Sequence, residues 1–483
     1  MNFSVIKRTL GWLLLFEAFF FLVPIATALC YGESEGLRAF LISMSICVVL
    51  SIVCLIGRAN TSAMFAKEGV VIVSLSWIIL SLFGALPFYI SGAIPSYIDA
   101  LFETVSGFTT TGASIMPTGE SVAALPKCIL MWRSFTHWVG GMGVLVFIMA
   151  FLPLSGGRNM HIMKAESPGP TVGKLVPKVR TTAKILYSIY LVLTVVEFVL
   201  LLFGGMSVFE ALNTAFATAG TGGFAFKADG FAGFNSYLQV VVAVFMLVFS
   251  INFNSYYFLL RKKWKEAWTT EVKVFLIVVG AAVAVITIDV FTSGSITSFW
   301  ESLKHSLFSV ATVVSTTGFA TEDFNLWPTF SKTILVLLMF MGACAGSTGG
   351  GMKVSRFIIL GKSASNEMRK TLHPKQVKAL TIDGRVVEQE VVNSVYSYVI
   401  AFICVFIVSL LIISLDGESL VTNFTAVTAT INNIGPGLEA VGPAGTFANF
   451  SWWSKLVFIF DMLVGRLEIF PMLLLFAPST WRK

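Results

Sequence analysis

Long apolar runs separated by short polar or basic stretches organise this sequence from end to end. Runs of about 20 residues with little or no charge occur at 9–30, 39–57, 70–89, 138–157, 185–203, 237–260, 274–291, 333–352, 396–415 and 456–476. About 20 apolar residues is the length a helix needs to cross the hydrocarbon core of a bilayer. The pattern therefore predicts ten spanning helices and an all-α polytopic membrane protein. The first run carries only Glu17 as an interruption, is too long for a signal-peptide core and is read as a transmembrane helix.

Composition supports that reading and removes others. Hydrophobic residues make up 56% of the 483 positions and charged residues only 12%, about half the usual share of a soluble domain. The six cysteines and four histidines are scattered without CxxC or Cys/His spacing, so neither a disulfide framework nor a zinc site is implied. Ten spans place both termini on one side, and 25 of the 33 Lys and Arg residues fall on that side. The positive-inside rule makes it cytosolic. The net charge of +7 is then a topology signal, and nucleic acid is not an expected partner.

A fourfold repeat lies on the opposite side. Four times, a span is followed by a short apolar segment, a small-residue stretch with a glycine, and a second span. The stretches are Thr110-Thr111-Gly112-Ala113, Thr221-Gly222-Gly223-Phe224, Thr316-Thr317-Gly318-Phe319 and Asn433-Ile434-Gly435-Pro436. Sixteen residues before each glycine stands a serine, Ser96, Ser207, Ser302 and Ser419, a residue that favours the N-cap. About 12 apolar residues follow each serine and reach only part-way across as a helix, about 18 Å. Non-helical backbone at membrane depth survives only inside protein or beside water, and a ring of carbonyls can replace the hydration shell of a cation. Small-residue packing is the bland reading of any one stretch; four stretches sharing one serine offset argue for a filter.

Together with Gly346-Ser347-Thr348-Gly349-Gly350-Gly351 and Gly465-Arg466-Leu467-Glu468, these motifs resemble the Trk/Ktr/HKT superfamily of potassium transporters, most closely its bacterial Trk potassium-uptake membrane subunits. The resemblance implies two accessory helices over 1–66 and four membrane-pore-membrane repeats over 67–165, 166–268, 269–385 and 386–483, arranged around a pseudo-fourfold pore. It also implies a homodimer with one pore per chain in the bacterial inner membrane. Control is expected from a cytosolic ring of Rossmann-type, TrkA-like subunits binding NAD or ATP/ADP. The potassium filter would be Thr110, Thr111 and Gly112, Thr221, Gly222 and Gly223, Thr316, Thr317 and Gly318, with Asn433, Ile434 and Gly435. Four glycines favour potassium, while Asn433, Ile434 and Pro436 depart from the threonine pattern and imply less strict selection.

Five glycines between 342 and 351, each about 1 kcal/mol worse than alanine in a helix, make a continuous helix there improbable. Close helix packing and an intramembrane gating loop, formed by Gly346, Ser347, Thr348, Gly349, Gly350 and Gly351, both fit; the resemblance assigns the gate. Arg466 lies in the last span, either paired with Glu468 or Asp461 or facing the cavity as a barrier to cations. Eight basic residues between Lys353 and Arg385 suit anionic lipid or a regulatory ring. No Walker A sequence and no clustered titratable set is present, which argues against an ATPase and a membrane-embedded enzyme. The expected activity is potassium uptake through a channel-like pore without an organic cofactor, with a proton- or sodium-coupled symporter as the alternative.

Overall fold

The computed structural model describes residues 1–56, 66–116, 122–143, 179–227, 230–373 and 379–481. It is a helical bundle; a two-residue hairpin, Thr381–Ile382 with Arg385–Val386, is the strand pair it contains among these residues. Among the described residues, six helices are long and apolar enough to cross a membrane, and a seventh if the bent pair Ser236–Ser250 and Phe253–Leu260 is taken as one span. Exposed apolar side chains cover the outer helices, such as Leu191, Val192 and Val195, and Ile400, Ile403 and Ile407. A surface of this kind faces lipid, because soluble proteins do not leave such patches to water.

Several spans differ from the sequence expectation. The second span of the first repeat is expected at 138–157, but a helix already runs over Lys127–Gly141, and 144–157 lie outside the described residues. Arg133 and His137 break the apolar pattern there, yet both are buried, because that helix faces protein rather than lipid. The run 237–260 is bent by 92° between Ser250 and Phe253, where Asn252 accepts from the Asn254 N–H and starts the second segment. The run 456–476 stops at Arg466 and resumes at Phe470, with Glu468 and Ile469 at positive φ.

Four shorter helices, Tyr97–Phe108, Val208–Gly220, Phe299–Val314 and Leu420–Ile431, are the pore helices. At 12 to 16 residues they are about 18 to 24 Å long, short of a full crossing. Ser96, Ser207 and Ser419 cap the first, second and fourth by accepting from the N–H of the third helical residue. The third departs. Its cap position is Ser298, and Ser302, the serine at the common offset, is buried inside a helix one turn longer.

Candidate ion filter and gate

Each pore helix ends in the same backbone device. The N–H of the residue two before the glycine bonds three residues back, and the next N–H bonds five residues back. These bonds are Thr110 to Gly107 and Thr111 to Ser106, Thr221 to Thr218 and Gly222 to Ala217, Thr316 to Val313 and Thr317 to Thr312, and Asn433 to Thr430 and Ile434 to Ala429. Thr110, Thr221, Thr316 and Asn433 have φ of 58°, 56°, 59° and 55°, and Gly112, Gly223, Gly318 and Gly435 have 78°, 71°, 91° and 96°. A β-branched residue in the left-handed region is strained, and such strain, kept three times over, persists only where the surrounding structure holds it.

The glycines show how the four loops meet. A Cβ on Gly112 would strike the Gly222 carbonyl oxygen, one on Gly223 that of Thr317, one on Gly318 that of Ile434, and one on Gly435 would lie 2.7 Å from that of Thr111. First repeat touches second, second touches third, third touches fourth, and fourth returns to first. The twelve residues expected to form the filter therefore come together as one closed ring around an axis. A side chain larger than hydrogen does not fit at its seams, which is why glycine stands at all four. Thr110, Thr111, Thr221, Thr316, Thr317, Asn433 and Ile434 are fully buried. In the fourth loop, Asn433 Nδ2 donates to Thr111 Oγ1 at 3.0 Å and to the Met462 carbonyl at 2.9 Å, so the exceptional asparagine stitches the ring's last seam.

The glycine-rich stretch of the third repeat is not helical. Its span ends at Met341, and helix resumes only at Val354. Gly349 abuts the Ser315 carbonyl and Gly350 the Asn432 carbonyl at the ends of the third and fourth pore helices, so the loop lies against the ring. The Gly350 N–H donates to Thr316 Oγ1 at 2.6 Å and the Gly351 N–H to Asn432 at 3.0 Å. The bend in the second repeat's span holds the other side. Cys344 N–H reaches the Ser250 carbonyl at 3.1 Å, Thr348 Oγ1 the Phe249 carbonyl at 3.1 Å, and Phe253 N–H donates to Gly346 at 3.0 Å. Ser347 turns inward, its hydroxyl donating to Cys344 at 2.6 Å. The bend frees carbonyls that a straight helix would have consumed, and the loop uses them.

Charged groups fasten this loop. Arg466 Nη1 donates to the Thr348 carbonyl at 2.9 Å and to Thr110 Oγ1 at 3.3 Å, while Nη2 reaches the Gly140 and Gly141 carbonyls at 2.5 and 2.6 Å. The pairing with Glu468 or Asp461 open to it from sequence is not made: Glu468 pairs with Arg356, and Asp461 accepts from Ser409 at 2.7 Å. Lys353 and Arg356, counted with the basic cytosolic segment, are buried; Lys353 Nζ donates to Gly349 and, at 3.2 Å, to Gly350. Glu271, missed from sequence, accepts from the N–H groups of Ala345 at 2.8 Å and Ser355 at 3.1 Å, holding both ends of the loop with one carboxylate oxygen. Its only signal was an acid in the first turn of a span, which reads as an ordinary N-terminal charge.

Four part-length helices converging on one ring of backbone carbonyls inside a lipid-facing bundle define a membrane protein of ion transport, not an enzyme. The chain belongs to the TrkH family, whose model, described as a cation transport protein, matches residues 36–483. It is 35% identical over 491 residues to the Trk system potassium uptake protein TrkH of Escherichia coli K12, each chain covered in full. It is 31% identical to TrkG of the same strain, over 99% of this chain and 98% of that one. The crystal structure of the potassium transporter TrkH from Vibrio parahaemolyticus superposes with a TM-score of 0.89 at 33% identity, covering 100% of both chains.

Proposed function

We propose that this chain takes up potassium through a channel-like pore whose filter is the ring of Thr110 to Gly112, Thr221 to Gly223, Thr316 to Gly318 and Asn433 to Gly435. The observation that carries this reading is the closure of the ring, in which each glycine abuts a carbonyl of the next repeat. Carbonyl oxygens so gathered replace water around a cation, and the pore helices end there with the negative ends of their dipoles. Gly346 to Gly351 act as the gate beneath the ring, and Arg466 adds a fixed positive charge at the gate. The membrane potential, about 2.3 kcal/mol per charge per 100 mV, drives entry.

The division into accessory helices and four repeats with the boundaries given above belongs to this reading, as do the bacterial inner membrane, cytosolic termini and assembly as a homodimer. So does control by a nucleotide-binding cytosolic ring. The exposed bases Arg369, Lys370 and Arg385 suit contact with such a ring or with anionic lipid. The deciding experiment uses the purified chain in liposomes under a set potential, without a sodium or proton gradient. Potassium flux that persists supports the passive pore; flux that appears only when a second ion gradient is supplied assigns a coupled carrier instead.

A further inference from the structure

One seam of the ring carries a buried ion pair. Glu103, nine residues before Gly112, is fully buried, and so is Arg133 on the following span. Glu103 Oε1 accepts from Arg133 Nε at 2.8 Å and from Ser114 Oγ at 3.0 Å, while Oε2 accepts from the Ile115 N–H at 3.1 Å. Arg133 Nη2 lies 2.7 Å from Glu103 Oε1, and Nη1 donates to the Ala225 carbonyl at 3.1 Å. The guanidinium also sits 4.2 Å from the centre of the Phe224 ring. Ser114 and Ile115 follow Gly112 in the first filter loop, and Phe224 and Ala225 follow Gly223 in the second. One ion pair thus grips the outgoing strands of two adjacent repeats.

One turn further along the same helix, His137 repeats the grip closer to the ring. Its Nε2 accepts from the Phe224 N–H at 3.3 Å, so Nδ1 carries the proton and donates to the Gly107 carbonyl at 2.8 Å. The positions matching Glu103 in the other repeats are Thr214, Ser309 and Ala426, none of them ionisable. The fourfold backbone ring therefore carries this carboxylate on the first pore helix and not at the matching positions of the other three.

We propose that the Glu103–Arg133 pair is a specificity-determining strut that fixes the spacing of the first and second filter loops and stops the ring contracting onto a smaller cation. Both residues are positioning residues, since the ion meets only the backbone they hold. The proposal rests on the ring being the selectivity filter. A buried pair with its hydrogen-bonding atoms satisfied resists displacement because any shift leaves a desolvated charge or donor unpaired. Glu103→Gln puts an amide donor against the Ile115 N–H and should loosen the strand without filling the pore.

The test uses the full chain in liposomes, comparing E103Q, R133Q and the double variant E103Q/R133Q for thermal stability, potassium flux and the potassium-to-sodium permeability ratio. The ratio is expected to fall at least fivefold in each folded variant, and by a larger factor than potassium flux. The double variant leaves no unpaired buried charge and keeps the test open where a single variant fails to fold. A folded double variant with the parent's ratio overturns the strut. Gly112→Ser, measured alongside, separates the two readings: if it shifts the ratio and the strut variants do not, the strut alone fails; if it too leaves the ratio unchanged, the filter assignment fails with it.

Discussion

The Arg466 guanidinium donates to the Thr348 backbone carbonyl at 2.9 Å, tying the last span of the fourth repeat to the loop that interrupts the third. Its other nitrogen holds Gly140 and Gly141 of the first repeat, so one cation links three repeats beneath the ring. At about 6 Å and an effective dielectric of about 20, that charge opposes a potassium ion by about 3 kcal/mol, worth about a hundredfold in rate. Arg466→Gln should raise potassium flux by up to that factor. Glu468 and Asp461 keep their partners Arg356 and Ser409, so no carboxylate is orphaned. Flux per folded molecule in liposomes checks it; reduced thermal stability with unchanged flux would make Arg466 a structural tie only.

Gly112→Ser attacks the ring directly. At φ 78° a side chain is strained by about 1 to 2 kcal/mol, and its Cβ would meet the Gly222 carbonyl. Backbone cannot yield as a flexible side chain would, so the first and second loops must part. The potassium-to-sodium permeability ratio should fall about tenfold, while the protein still inserts and keeps its fold. Reversal potentials in mixed salts measure the ratio.

How far such residues could be read from sequence depended on whether their partners were local. The four ring glycines repeat with their loops at one offset from a capping serine, and Ser96, Ser207 and Ser419 cap as that offset implies. Ser302 misled because the third pore helix carries an extra turn, which moves its start to Phe299 without moving the glycine. The helix over Lys127–Gly141 starts ahead of the apolar run 138–157 because Arg133 and His137, which interrupt that pattern, are satisfied by Glu103 and the Gly107 carbonyl. Asn252 and Asn254 stand at the bend within the apolar run 237–260, a polar pair that run length alone passes over. The carbonyls that satisfy Arg466 come from positions 118 to 326 residues away, a distance at which no local pattern speaks.

The loop itself can be pushed away from the filter. A methyl on Gly350 would collide with the Asn432 carbonyl, and one on Gly349 would lie 2.8 Å from that of Ser315. Gly349→Ala with Gly350→Ala should therefore drive the loop off the pore-helix ends and raise basal potassium flux, as should deletion of Gly346–Gly351. The permeability ratio should stay within about twofold of the parent, since 0.4 kcal/mol corresponds to about that factor. A change in selectivity with unaltered basal flux would move this segment from gate to filter.

Glu271 offers the same result without touching the pore. One of its oxygens accepts the N–H groups of Ala345 and Ser355, on either side of Gly346 to Gly351, the proposed gate, and a hydrogen bond to a charged group contributes about 1.5 to 3 kcal/mol. The preceding residue, Thr270, gives its N–H and hydroxyl to Asp383 in the turn of the Thr381–Val386 hairpin at 2.8 and 2.6 Å, so the first turn of this span is held between hairpin and loop. Glu271→Ala frees both ends of the loop and leaves their donors without that acceptor. Basal flux should rise about tenfold with an unchanged permeability ratio; Glu271→Gln keeps an acceptor oxygen but loses the charge, and should fall between parent and alanine. That ordering separates a clamp on the gate from a general packing defect, which would lower thermal stability in both variants without grading the flux.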